Sequence, residues 1–139
     1  SGFSQSMMNA NESIGMIQIA DGAMQEQGDI ANRIDQLTLQ ASNDTLNNSD
    51  RAKIQKEVDR LLESSDNIAS STSYNGMSLL DGSNATQYTK DSTSSSLFGK
   101  IDVTTAENAQ KSLDTVQNAL STLDDMRSDL GASQNKLYA

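Results

Sequence analysis

The chain has 139 residues, a formal net charge of −9, no Cys, Pro, His or Trp, and five aromatic side chains. The acidity disfavours nucleic acid and anionic membrane surfaces, which are bound mainly through Lys and Arg. The missing His and Cys remove the usual nucleophile–base pairs and most transition-metal sites, so neither catalysis nor a cofactor is expected.

With so few large apolar groups, the length fits one domain built as a thin helical bundle rather than a thick globule. The absence of Pro suits long uninterrupted helices. No apolar run approaches the ~20 residues of a membrane span, and no cleavable signal peptide is visible. The sequence opens and closes inside helical patterns without an initiator Met, as expected of a fragment.

The first long helix is predicted over about residues 2–42. Phe3, Met7, Ala10, Ile14, Ile17, Ala20, Met24, Ile30, Ile34, Leu37 and Ala41 recur at steps of three and four, with one gap near Gln27. Gly15, Gly22 and Gly28 lie inside it, each costing about 1 kcal/mol relative to Ala. They read either as tolerated surface positions or as places where a neighbouring helix or subunit approaches closely. An Asn-rich turn, Asn43 to Asn48, follows. A second helix of about residues 49–70 is then capped by Ser49 or Asp50. Its inner stripe is Ile54, Val58, Leu61, Ser65 and Ile68, with Leu62 alongside, and it runs back antiparallel along about half of the first helix.

From about 71 to 103 the helical period disappears. Asn75-Gly76 favours a tight turn, and Met77 to Leu80 reads as a short strand pairing with a second one over Leu97–Val103. Between them, Ser83 to Ser96 is rich in Ser and Thr and reads as an exposed variable loop. The third long helix is predicted over about 104–137. Thr104 and Glu107 have capping-box spacing. Ala109, Val116, Leu123, Leu130 and Leu137 repeat every seven residues, and Ala106, Leu113 and Leu120 supply a second position, continued by Arg127 and Gln134. The fold class is therefore mainly α: an elongated, coiled-coil-like antiparallel three-helix bundle with a small β-hairpin and loop region between the second and third helices. If the irregular segment climbs back along the rod, the third helix returns antiparallel to the first and both chain ends share one end.

Chemistry-bearing clusters are scarce. Asp59 and Glu63, and Asp124, Asp125 and Asp129, read as solvated acidic faces. The segment after Asp81 lacks the ligand spacing of an EF-hand. Asn84-Ala85-Thr86 is one of several glycosylation-type triplets expected by chance in so Asn- and Thr-rich a chain. Met7, Met8, Met16 and Met24 read as core filler. Arg33 reads either as half of a surface ion pair or as an anchor for a protein partner.

Several stretches resemble one family. Ile17–Met24, Leu37–Asn43 and Asp50–Glu57 resemble the first rod helices of bacterial flagellins. Thr72–Leu80 resembles their T-x-F-N-G-x-x-L-L, and Arg127–Asn135 their R-S-D-L-G-A-x-Q-N. The resemblance implies the rod domain called D1, covering residues 1–139, without the terminal D0 helices and with the outer domains reduced to a loop near Ser83–Ser96. It implies a structural filament subunit for motility, partnered by other flagellin subunits. It would be extracellular, in the flagellum, and exported by the flagellar type III apparatus. The family's outer-region Ser and Thr residues are sometimes glycosylated.

The resemblance also suggests two binding roles: cargo for a secretion chaperone, and ligand of the innate immune receptor Toll-like receptor 5. For the receptor, Arg33, Ile34, Asp35, Gln36, Leu37 and Gln40 fall on the family's recognition stretch R-V-R-E-L-A-V-Q, with Ser64 on the second helix. Arg33, Leu37 and Gln40 agree with it. Asp35 stands where Arg is common, Gln36 where Glu is, and Ser64 where Glu often is. The charge reversal at Asp35 weakens this motif.

Overall fold

The computed structural model describes residues 2–138, with side chains from Asn9 onward. Phe3, Met7 and Met8, placed above in the first stripe and in the core, lie outside the described side chains. Helix α1 spans Gly2–Ala41, α2 Asn48–Ser71, and a hairpin joins β1 (Ser73–Tyr74) to β2 (Met77–Ser78). The short α3 (Ser94–Leu97) interrupts the connector, and α4 runs Ala106–Tyr138. At 40 residues, α1 is roughly 60 Å long, so its stripe must be covered along its whole length.

That cover comes chiefly from α4 and secondarily from α2. Asp21, half way along α1, meets Arg127 in the C-terminal part of α4, and Gln110 near the start of α4 reaches Ser42 at the C-terminal end of α1, so the two helices run antiparallel. Residues 79–103 fold back between α2 and α4, and Leu79, Leu80, Leu97, Phe98, Ile101 and Val103 are buried. Because α3 touches both α2 and α4, this connector fills a fourth corner of the bundle.

The α1 stripe has no gap at its centre. Gln27 is fully buried in line with Met24, Ala31 and Ile34. Its Nε2 donates to the Ser65 carbonyl (3.0 Å) and the Ser92 carbonyl (3.0 Å), joining α1, α2 and the connector at one point. On α4 the seam is Ala109, Ser112, Val116, Ala119, Leu123 and Leu130. Ser112 and Ala119, rather than the expected Leu113 and Leu120, take the second central position. Small residues let the helix backbones approach, and the larger leucines cover the margins.

Both long-helix starts differ from expectation by a residue or two. Asn47, not Ser49 or Asp50, caps α2, its Oδ1 accepting from the Asp50 N–H at 2.8 Å. Thr105, not Thr104, caps α4, its hydroxyl accepting from the Asn108 N–H at 3.1 Å. Thr104 is engaged elsewhere: its N–H and hydroxyl both donate to Asp102 Oδ1. This Asx-type turn recurs at Asn43–Thr45, Asp81–Ser83 and Asp91–Thr93. At the three aspartates, the hydroxyl of Ser83, Thr93 or Thr104 holds the carboxyl below its ordinary pKa.

The expected strand pairing of Met77–Leu80 with Leu97–Val103 does not form. The hairpin is local, Ser73 facing Ser78 and Tyr74 facing Met77. Asn75 (φ 50°) and Gly76 (φ 79°) supply the two left-handed residues of its tight turn. The extended Ile101–Val103 takes Gln55 of α2 as its backbone partner instead: Nε2 donates to the Ile101 carbonyl (3.0 Å) and Oε1 accepts from the Val103 N–H (2.7 Å). One side-chain amide thus replaces a neighbouring strand. Residues 83–96 are not simply exposed either. Thr89 and Ser92 are buried, and the N–H groups of Lys90 and Ser92 donate to the Leu79 and Leu80 carbonyls.

Candidate interaction surface

The residues singled out by sequence lie on α1 and α2, and the structure divides them by face. Arg33, Gln36 and Gln40 recur at three- and four-residue steps and form one exposed row on α1. The Arg33 guanidinium donates from Nη2 to Glu57 Oε1 of α2 at 3.0 Å and from Nη1 to Gln36 Oε1 at 3.5 Å. Both partners of the ion pair are about half exposed, at 50% and 46%, so it stabilises the bundle by no more than about 1 kcal/mol. Its main effect is to hold the guanidinium in a fixed place at the α1–α2 boundary.

Ser64 is exposed on α2, two turns beyond Glu57 and roughly 10 Å along the helix. Asp35 is partly buried on a different side of α1, its Oδ1 enclosed without a hydrogen-bond partner among the described residues. Ile34 and Leu37 face inward, at 0% and 2% exposure. They set the register of α1 and cannot be reached by a partner docked outside. The sequence pattern missed Glu57 and the exposed Leu39 (58%), which stands beside this row. Glu57 becomes predictable only once the antiparallel register of α1 on α2 is known.

Arg51 is the other basic residue with a built role. Almost wholly buried, it donates from Nε to the Ala41 carbonyl (2.8 Å), from Nη2 to the Asn43 carbonyl (2.6 Å) and from Nη1 to Asn48 Oδ1 (2.7 Å). A cation thus covers the unpaired carbonyls at the C-terminus of α1 and opposes the negative end of its dipole. Opposite the Arg33 row, Arg127 of α4 bonds Asp21 at 2.8 Å, and that bond holds its pKa above the ordinary guanidinium value. Of Gly15, Gly22 and Gly28 on α1, Gly15 alone is closely approached. A Cβ there would lie 2.9 Å from the Tyr74 ring, whereas Gly22 and Gly28 face open space.

The family model described as the bacterial flagellin N-terminal helical region matches residues 1–85, more than half of the chain. The chain belongs to the flagellin family. It is 32% identical to the flagellar filament 30.7 kDa core protein of Treponema maltophilum, over 97% of this chain and 58% of that protein. It is 46% identical to flagellin B of Helicobacter pylori over 57% of this chain and 15% of the relative. The crystal structure of Bacillus cereus flagellin shares the fold, with a TM-score of 0.79 at 22% identity, covering 94% of this chain and 85% of that one. This flagellin-family chain thus spans a little over half the length of the Treponema relatives it matches. The motifs that carry the resemblance have physical roles here. Tyr74 seats on Gly15, Asn75-Gly76 makes the turn, Leu79 and Leu80 enter the core, and Arg127 ties α4 to α1.

Proposed function

We propose that residues 1–139 form a single D1-like rod domain of a structural subunit of the bacterial flagellar filament. Its work is packing against other flagellin subunits, with no catalytic step. The observation that carries this reading is the family match combined with the paired rod helices α1 and α4, whose outer faces remain uncovered along much of their length. A stiff rod with long free faces suits lateral and axial packing of many copies. Residues 83–96 are where the family's outer domains would be inserted. The match to the Treponema maltophilum protein runs over more aligned positions than this chain has residues, in keeping with a shortened segment here. An extracellular place in the flagellum, reached through the flagellar export apparatus, follows from the same reading.

The test is immunogold electron microscopy of the source bacterium with antibodies raised against this chain, alongside deletion of its gene. Labelled filaments that disappear or thin on deletion are the expected result. Unlabelled filaments that persist after deletion would overturn the reading.

A second reading, recognition by Toll-like receptor 5, is favoured by the exposed and fixed Arg33 guanidinium. Its contact residues would be Arg33, Gln36, Gln40 and Ser64, since Ile34 and Leu37 are core. Titration of the receptor ectodomain against the wild type and Arg33→Ala tests it. No measurable binding by the wild type would leave only the structural role, and equal binding by both would remove Arg33 as the anchor.

A further inference from the structure

The faces of the rod differ in charge and shape. Between α1 and α4, on the side away from the connector, runs an open groove of about 350 Å³ lined by Met24, Gly28, Asp29, Leu123, Asp124 and Arg127. It continues along the same two helices past Asp21 and Gly131. Met24 and Leu123 close its bottom but are themselves buried, so most of the surface a partner can touch is polar. Gly28 and Gly131 leave its walls low, and a Cβ at either would meet nothing within 4 Å. Three carboxylates, Asp21, Asp29 and Asp124, share the single Arg127 guanidinium, so the groove carries excess negative charge.

A row of positive charge lies on α2, flanked there by Glu57, Asp59 and Glu63. Lys53, Lys56 and Arg60 recur at steps of three and four, so they form one exposed row. None of them has a carboxylate within ion-pair distance among the described residues. The row spans roughly 10 Å along the helix, close to the roughly 12 Å from Asp21 to Asp29.

Resting on the filament-subunit reading, we propose that the Lys53–Lys56–Arg60 row of one copy of this chain docks in the Asp29–Asp124 groove of the next. The long side chains reach into the groove and bring their cations to the rim carboxylates. The row and the groove lie on different sides of the rod, because α2 packs on α1 and the connector while the groove opens between α1 and α4. One copy therefore uses both surfaces at once, and the contact is head-to-tail. A contact of this kind repeats without closing unless its rotation makes a ring, which is the geometry a filament wall requires. A two-fold dimer would need the same patch on both partners.

Sedimentation velocity on the whole chain at low salt tests this, at concentrations up to about 1 mM, where weak transient contacts are populated. Wild type should self-associate weakly, and salt should dissociate it. Reversing the row (Lys53→Glu, Lys56→Glu, Arg60→Glu) or the groove (Asp29→Lys, Asp124→Lys) should weaken association on the order of tenfold or more. Mixing the two reversed variants should restore it, since each then offers what the other lacks. Gly28→Gln fills the groove without changing charge, in a helix it should strengthen, and should also weaken association.

A wild type that stays monomeric throughout would overturn the proposal. So would association that survives either reversal, which would leave the filament reading standing on other faces. Loss of association in each variant without recovery on mixing would mean that the row and the groove do not face each other, and would overturn the proposal. Failure of the filament reading itself would appear separately, as unlabelled filaments in the immunogold experiment.

Discussion

Gln27 offers the sharpest test of how the bundle is held together. Its amide is fully buried in the second half of α1, and its Nε2 hydrogens go to two carbonyls, those of Ser65 and Ser92. The Ser65 carbonyl lies inside α2 and keeps its helical bond. The Ser92 carbonyl has no other hydrogen-bond donor among the described residues. Replacing Gln27 with Ala loses one bond worth about 1 kcal/mol and strands a buried carbonyl at about 1–3 kcal/mol. The expected cost is about 2–4 kcal/mol. At about 2.1 cal/mol/K of unfolding entropy per residue, a chain of this length should lose roughly 7–14 °C in Tm. Thermal and urea melts by circular dichroism measure this. Gln27→Leu separates packing from hydrogen bonding, because it fills the space but donates nothing. Both variants remove the enclosed Oε1, which has no partner, but only Ala also leaves the side-chain space empty, so the Leu loss should lie at the low end of the range, about 2 kcal/mol. A Gln27→Leu variant as stable as wild type would refute the view that the amide, rather than its volume, joins α1, α2 and the connector.

Three further outcomes follow from the same geometry. Asp81, Asp91 and Asp102 have folded pKa values below their unfolded ones, so the unfolded chain binds more protons. Their stabilisation is present above the unfolded value of about 3.9 and fades as pH falls from there through the depressed values. Urea midpoints should therefore be flat from neutrality to about pH 5 and drop below about pH 4, with Asp102→Asn reducing the drop. Gly15→Ala should destabilise by about 1 kcal/mol, because the clash with Tyr74 outweighs the helix propensity gained, whereas Gly22→Ala at an open position should stabilise by about 0.5–1 kcal/mol; equal effects at both sites in chemical melts would contradict the Tyr74 contact. Leu123→Ala, in the α4 seam, should cost about 3–5 kcal/mol and Leu113→Ala, at its margin, less than half of that; similar losses would mean the seam has been drawn through the wrong residues.

The long helices were legible in the sequence because a period of 3.6 survives any tertiary arrangement, and the Ala109–Leu130 heptad is nearly uninterrupted. What escaped was decided by contacts between elements. Size ranked Leu113 and Leu120 above Ser112 and Ala119, yet close helix packing reserves the centre for the small pair. Gln27 read as a gap because its partners lie 38 and 65 residues away. The connector read as strand because Ile101 and Val103 are apolar and extended, but the partner of that backbone is a glutamine on α2, for which no local pattern exists. At the interaction surface the row Arg33–Gln36–Gln40 was visible, while the inward turn of Ile34 and Leu37 separates core from contact in a motif that sequence presents as one string.

The connector's place in the bundle bears on how one fold can carry outer segments of different size. Residues 79–103 enter the fourth corner at two points fixed by side chains from α1 and α2: Gln27 on Ser92 and Gln55 on Ile101 and Val103. A further pair, the Ser94 hydroxyl and N–H donating to the Leu62 carbonyl and to Asp66, pins the turn of α3. Before the first of these anchors, residues 83–88 are mostly exposed and, among the described residues, are crossed only by local bonds within 81–89, apart from Asn84 reaching the Ser78 carbonyl. Lengthening the chain there adds loop-closure entropy that grows only slowly with length, about 0.6 kcal/mol per doubling. It disturbs none of the anchors that hold the return path of the chain. An insertion after Ser92 would instead part the anchored Ser92 from the anchored Ser94, Ile101 and Val103 and open the fourth corner. Tolerance for an inserted domain should therefore switch sharply between residues 83–88 and residues 92–103, even though both stretches lie in the same connector and carry small polar residues.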